Sequence, residues 1–187
     1  EHGVYLKNAR ETIIQDNVIS GNDGNGVLIE GQKAEQNRII GNYIGTDASG
    51  TSAKPNRGNG VKILNAPHNT IGGLEERMRN VISGNDLYGI LITGSGATGN
   101  KVQGNLIGTK KNGTDRLFNM GDGVLIQGAS DNLIGGTDSG AGNTIAFNRH
   151  NGVTVLSGTG NAILGNSIHS NSGIGIDLDN DGWTRNN

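Results

Sequence analysis

Gly26-Val27-Leu28-Ile29, Asn37-Arg38-Ile39 and Asn42-Tyr43-Ile44 follow one another within 19 residues. Each is a short apolar alternation of period two, the mark of a half-buried strand. Gly and Asn stand between them, as turns require. The opening Gly-[Val/Ile] recurs at Gly3, Gly26, Gly60, Gly89, Gly123, Gly152 and Gly175, with spacings of 23, 34, 29, 34, 29 and 23. Asn-x-[Ile/Val] recurs at Asn37, Asn69, Asn100, Asn132 and Asn161, and again at Asn17, Asn42, Asn80, Asn105, Asn143 and Asn166. Residues 26–88 align on 89–151 without a gap, with about 26 of 63 positions identical. No stretch shows the 3.6 period of an amphipathic helix.

Three such strands per unit are too short to bury a face alone. Stacked units place Ile on Ile and Val on Val and make one continuous core. The pattern therefore predicts an all-β, single-stranded, right-handed parallel β-helix. It spans 1–187 as one domain of about seven coils, each about 4.8 Å above the last. Inward Asn side chains at the corners satisfy one another as ladders along the axis. The chain opens within the repeat, as a piece cut from a longer protein would. Residues 175–187 depart from the repeat and read as a C-terminal cap, with Trp183 over the core.

Composition excludes several classes. The chain has 34 Gly and 26 Asn among 187 residues, 2 Pro, no Cys and a formal net charge of −2. A disulfide scaffold needs cysteines, and a membrane-spanning helix needs about 20 apolar residues in a row. A nucleic-acid binder working by phosphate neutralisation is normally basic. So neither membrane insertion nor nucleic acid is expected. The regular placing of Ile, Val and Leu argues against disorder.

The runs Asn42-Tyr43-Ile44-Gly45-Thr46-Asp47, Asn69-Thr70-Ile71-Gly72-Gly73 and Asn80-Val81-Ile82-Ser83-Gly84-Asn85 resemble bacterial right-handed parallel β-helix repeat proteins of the pectate-lyase-like superfamily. The likeness is greatest to secreted repeat proteins of unassigned function. It implies an extracellular or cell-surface bacterial setting and a carbohydrate theme, without naming a reaction.

A polymer would lie along the outward strand positions. The first-strand set is Tyr5, Leu28, Lys62, Leu91, Leu125 and Thr154, and neither it nor the sets of the second and third strands holds a carboxylate. This argues against the strand-borne acid pair of a glycosidase. Arg38, Thr70 and Lys101 form a short basic stripe on the second strand. Leu28, Leu91 and Leu125 point outward, under loops or under a neighbouring molecule. The long insertions 46–59 and 109–122 occupy equivalent places two coils apart, and insertions of a solenoid gather on one side. A polysaccharide beside them would meet Asp47, Lys54, Arg57, Lys110, Asp115 and Arg116. Asp177, Asp179 and Asp181, followed by Gly182, give the D-x-D-x-D-G spacing that opens a Ca²⁺ loop, or a polar turn ending the solenoid. His2, His68, His150 and His169 lack metal-ligand spacing. Three functional readings stay open: a structural or carbohydrate-binding module, a polysaccharide lyase, hydrolase or epimerase, and a self-associating surface repeat.

Overall fold

The computed structural model describes residues 1–179. Three parallel sheets wind around one core. Sheet A stacks Val4–Lys7, Val27–Glu30, Val61–Leu64, Ile90–Thr93, Val124–Gln127, Val153–Ser157 and Ile176–Leu178. Sheet B stacks Ile13–Gln15, Arg38–Ile40, Thr70–Gly72, Lys101–Gln103, Leu133–Gly135 and Ala162–Leu164. Sheet C stacks Val18–Ile19, Tyr43–Ile44, Val81–Ile82, Leu106–Ile107, Thr144–Ala146 and Ser167–His169. The chain visits A, B and C in turn, so each circuit is one coil of a parallel β-helix.

The period-two pattern sets the core. Ile29, Ile63, Ile92 and Ile126 are in register in sheet A. Ile39, Ile71, Val102 and Ile134 do the same in sheet B, and Ile44, Ile82, Ile107 and Ile145 in sheet C. All twelve side chains are fully buried. The motif glycine has a steric origin. A Cβ on Gly26 would stand 2.6 Å from the Gly60 carbonyl oxygen and 2.7 Å from Ile44 Cγ2, where only hydrogen fits.

Each corner carries an Asn ladder. The two read from the sequence run through Asn37, Asn69, Asn100, Asn132 and Asn161, and through Asn17, Asn42, Asn80, Asn105, Asn143 and Asn166. A third, between sheets C and A, joins Asn22, Asn56, Asn85, Asn119, Asn148 and Asn171 through amide bonds of 2.8–3.0 Å. In each ladder the side-chain amide of one coil donates to Oδ1 of the next.

The insertions leave the coil at the C-to-A corner. Each closes on itself through an antiparallel bridge, Thr46 to Ala53 and Thr109 to Arg116. They meet across the intervening coil, where Lys111 N–H donates to the Gly50 carbonyl at 2.9 Å. Gly50 lies against the Tyr43 ring and Gly113 against Leu106. The middle of sheet C is thereby covered, and Val81 and Leu106 are buried. Two smaller insertions, 72–79 and 135–142, lie at the B-to-C corner, the first carrying a 3-10 turn at Glu76–Met78. Leu28, Leu91 and Leu125 are at most 9% exposed. The chain itself closes over them, so they form no open apolar patch.

Candidate functional site

The residue preceding each motif glycine forms an outer column beside sheet A: His2, Asn25, Asn59, Tyr88, Asp122, Asn151 and Ile174. Here the polarity is the reverse of the inner ladders, since a later coil donates to an earlier side chain. Asn25 N–H donates to His2 Nδ1 at 2.9 Å, Asn59 N–H to Asn25 Oδ1 at 2.9 Å and Ile174 N–H to Asn151 Oδ1 at 2.8 Å. Tyr88 interrupts the column. A phenol ring has no acceptor at the place of an amide oxygen, and this ring lies instead over Gly121. Asp122 follows, with a carboxylate where three other coils have Asn.

At this break a cleft of about 370 Å³ opens, with Tyr88, Asp122, Leu125, Arg149, His150 and Asn151 among its walls. Asp122 is only 6% exposed. Its Oδ1 accepts from Asn151 N–H at 2.9 Å. Burial pushes its carboxyl above the ordinary carboxylate range, against the Asn151 N–H, the Thr154 hydroxyl and His150, which stabilise the charged form. The Asn151 amide turns away from Asp122 and donates to Thr154 Oγ1 at 3.1 Å and Asp177 Oδ2 at 2.9 Å.

Asp177 corrects the sequence reading. It pairs in register with Thr154, so the outward row of sheet A does contain a carboxylate. That row had been followed only as far as Thr154. Asp177 is 3% exposed, and its Oδ1 has no hydrogen-bond partner among the described residues.

Beside the cleft, the Arg149 guanidinium lies 4.2 Å from the centre of the Phe118 ring, and the Arg116 guanidinium lies 4.8 Å from it. The second insertion thus brings Arg116 onto the ring that Arg149, a wall residue, also meets. The other sequence-selected residues do not converge there. Arg38 and Lys101 flank Thr70 on sheet B. Asp47 is engaged in its own turn, accepting from Thr51 N–H at 3.0 Å and Ser49 Oγ at 2.9 Å, and these bonds hold its carboxyl below the usual range. Arg57 pairs with Asp23 at 2.8 Å, and Lys110 with Asp115 at 3.6 Å. Lys54 extends past Gly21.

Sequence reading missed Tyr88, Asp122 and Arg149, yet a signal exists. In the gapless repeat alignment Asn59 faces Asp122 and Tyr88 faces Asn151. A column that is otherwise Asn changes character at two successive coils.

A second cleft of about 470 Å³ lies near the first insertion, between Tyr43, Ala48, Glu76, Arg77 and Arg79. Its charges are largely spent on one another, with Arg77 on Glu75 at 2.6 Å and Arg79 near Glu76.

Among the described residues, no three His, Cys, Asp or Glu side chains gather so as to hold a metal ion. The soft and imidazole donors that copper favours are dispersed. Met78 Sδ faces Arg38, and His2 Nδ1 accepts from Asn25. Of the candidate Ca²⁺ residues, Asp177 is tied to Asn151, Asp179 is exposed, and Asp181 lies outside the described residues, as do Gly182 and Trp183. Among the described residues no helix is long and apolar enough to cross a membrane.

A family model named NosD, described as a periplasmic copper-binding protein, matches residues 1–134. No curated protein matches the chain. The matched span takes in the first four coils and the first half of the fifth. It includes Tyr88, Arg116, Phe118 and Asp122, while Arg149, Asn151 and Asp177 lie beyond it. The match accords with the parallel winding and the repeat, and does not extend to the wider pectate-lyase-like likeness. With more than half of its length matched by that model, the chain belongs to the NosD family.

Proposed function

We propose that the chain is a β-helical binding module working outside the cytoplasm, and that it holds carbohydrate in the sheet A cleft without cleaving it. One observation carries the reading. Where the outer column breaks, an aromatic ring, a buried carboxylate and a guanidinium come together around one depression. An aromatic face offers an apolar surface for a sugar ring, while charged planar groups take its hydroxyls. Among the described residues only one carboxylate lines the cleft, since Asp177 is buried and bonded to Asn151. Hydrolysis of a glycosidic bond ordinarily uses two. The periplasmic setting in the family's description favours a place outside the cytoplasm.

Copper binding, which that description names, is not part of this reading, since the described residues offer no fitting donor set. Titration with Cu²⁺ is expected to show no tight stoichiometric binding that Met78→Leu or His150→Gln removes.

The test is retention of the chain on immobilised uronate and neutral polysaccharides, with and without Ca²⁺, while new reducing or unsaturated ends are followed. Retention without new ends, lost in Tyr88→Ala, is the expected result. New ends would make the chain an enzyme. Retention untouched by Tyr88→Ala would move the site elsewhere, the insertions at 46–59 and 109–122 being next to mutate.

A further inference from the structure

Five ion pairs among the described residues engage Arg10, Arg57, Arg77, Arg79 and Lys110. Arg116 and Arg149 are in none of them. They come from different coils, yet their guanidiniums rest on one ring, at 4.8 and 4.2 Å from the centre of Phe118. Neither guanidinium has a carboxylate partner among the described residues. A ring face compensates only partly. Phe118 is itself half-buried at the foot of the second insertion, so it fixes both side chains by stacking.

The nearest wall acid does not neutralise them. Asp122 turns its carboxyl inward, to the Asn151 N–H and the Thr154 hydroxyl. Burial also pushes its carboxyl above the ordinary range. Arg149 belongs both to the stacked pair and to the wall of the cleft. An anion at the pair and a sugar ring in the cleft would therefore be neighbours.

We propose that the cleft takes an anionic glycan, with a carboxylate or sulfate of the sugar held by Arg149 and Arg116 on the Phe118 ring. This rests on the reading that the cleft binds carbohydrate. The adjoining ring lies against Tyr88. Guanidinium suits such a group because its fork meets two oxygens at once. No bond is made or broken.

The test is calorimetric titration of the whole chain with length-matched uronate, sulfated and neutral oligosaccharides, and with inorganic sulfate. Arg149→Gln and Arg116→Gln are each expected to weaken the anionic sugars about ten-fold, the scale of one charge-assisted hydrogen bond. Neutral sugars should be weakened less than anionic ones by either change, and raised salt should weaken only the anionic ones. Whichever of uronate and sulfated sugar binds more tightly names the anion. Lysine at either position should keep part of the affinity, and Arg10→Gln, on a distant pair, should keep all of it. Phe118→Leu should act like the loss of one arginine, with melting curves showing that each variant still folds. Equal affinity for neutral and anionic sugars, or Arg→Gln changes that weaken both alike, would overturn this proposal and leave carbohydrate binding standing. Inorganic sulfate competing as well as the sugars would also overturn it. Failure of every sugar to bind would remove the carbohydrate reading itself, and this proposal with it.

Discussion

Asp122 occupies a column that is Asn at Asn25, Asn59 and Asn151, and it accepts the same N–H from the following coil at 2.9 Å. An amide there would be neutral at every pH, whereas a buried carboxylate is not. Burial raises its folded pKa above the unfolded value of about 3.9. The folded state then binds the proton more tightly. Its contribution to stability is full below the unfolded pKa and is lost as pH rises through the folded pKa. Asp122→Asn should therefore flatten the stability profile in that window and raise the melting temperature at pH 7. Melting at closely spaced pH values would show it, and an unchanged slope would contradict the account. Asp47 is the opposite case, with a folded pKa lowered by its turn. Any stability it gives is present above the unfolded pKa and is lost as pH falls through the folded one. Neither carboxylate is distinguishable as raised or lowered in a sequence, because the difference lies in burial for Asp122 and in the folded turn for Asp47.

At the scale of strands and corners, a middle rung of a ladder is worth more than an end rung. Asn85 accepts from Asn56 at 2.9 Å, donates to Asn119 at 2.9 Å and takes the Asn119 oxygen on its N–H at 3.1 Å. Asn85→Ala takes from the Asn56 amide one of its two acceptors and breaks the chain of amides, at a cost of about 3 kcal/mol. Asn171 lies at the end of the same ladder, and Asn171→Ala should cost about 1 kcal/mol. Urea denaturation of the two variants would measure the difference, and equal losses would contradict the cooperative ladder. Two of the three ladders were legible because each follows a fixed Asn-x-Ile signal. The third was hidden by spacing. Asn80 to Asn85 is five residues, but Asn42 to Asn56 is fourteen, since the insertion bulges out between two corners that still stack. That the insertions touch through Lys111 and Gly50 was equally unreadable, because it depends on the uninserted coil between them.

Across the whole molecule, each coil contacts chiefly its neighbours, the touching insertions apart, so stability is close to a sum of coil and interface contributions. The inner rows are fully buried in the middle coils. At the margins the same rows reach Ile14, Ile163 and Ile168, which are only partly buried. Hydrogen exchange should be slowest for the sheet amides of Val61–Leu64, Ile90–Thr93 and Val124–Gln127, and faster towards both outer coils. Uniform protection would mean that the chain opens as one unit. At this scale the sequence was most informative, since period two, repeat spacing and turn residues agree on one architecture. The cleft was least legible because it arises from a departure, with Tyr88 and Asp122 breaking a column that the repeat otherwise keeps.

The most direct measurement compares wild-type chain with Tyr88→Ala and with Asp122→Ala on immobilised polysaccharide, counting bound protein and newly formed chain ends together. The account predicts that the wild type is retained, that Tyr88→Ala is lost from the matrix while still melting cooperatively, that Asp122→Ala binds more weakly, and that no ends appear. Retention of both variants at the wild-type level, or the appearance of new ends, would contradict it.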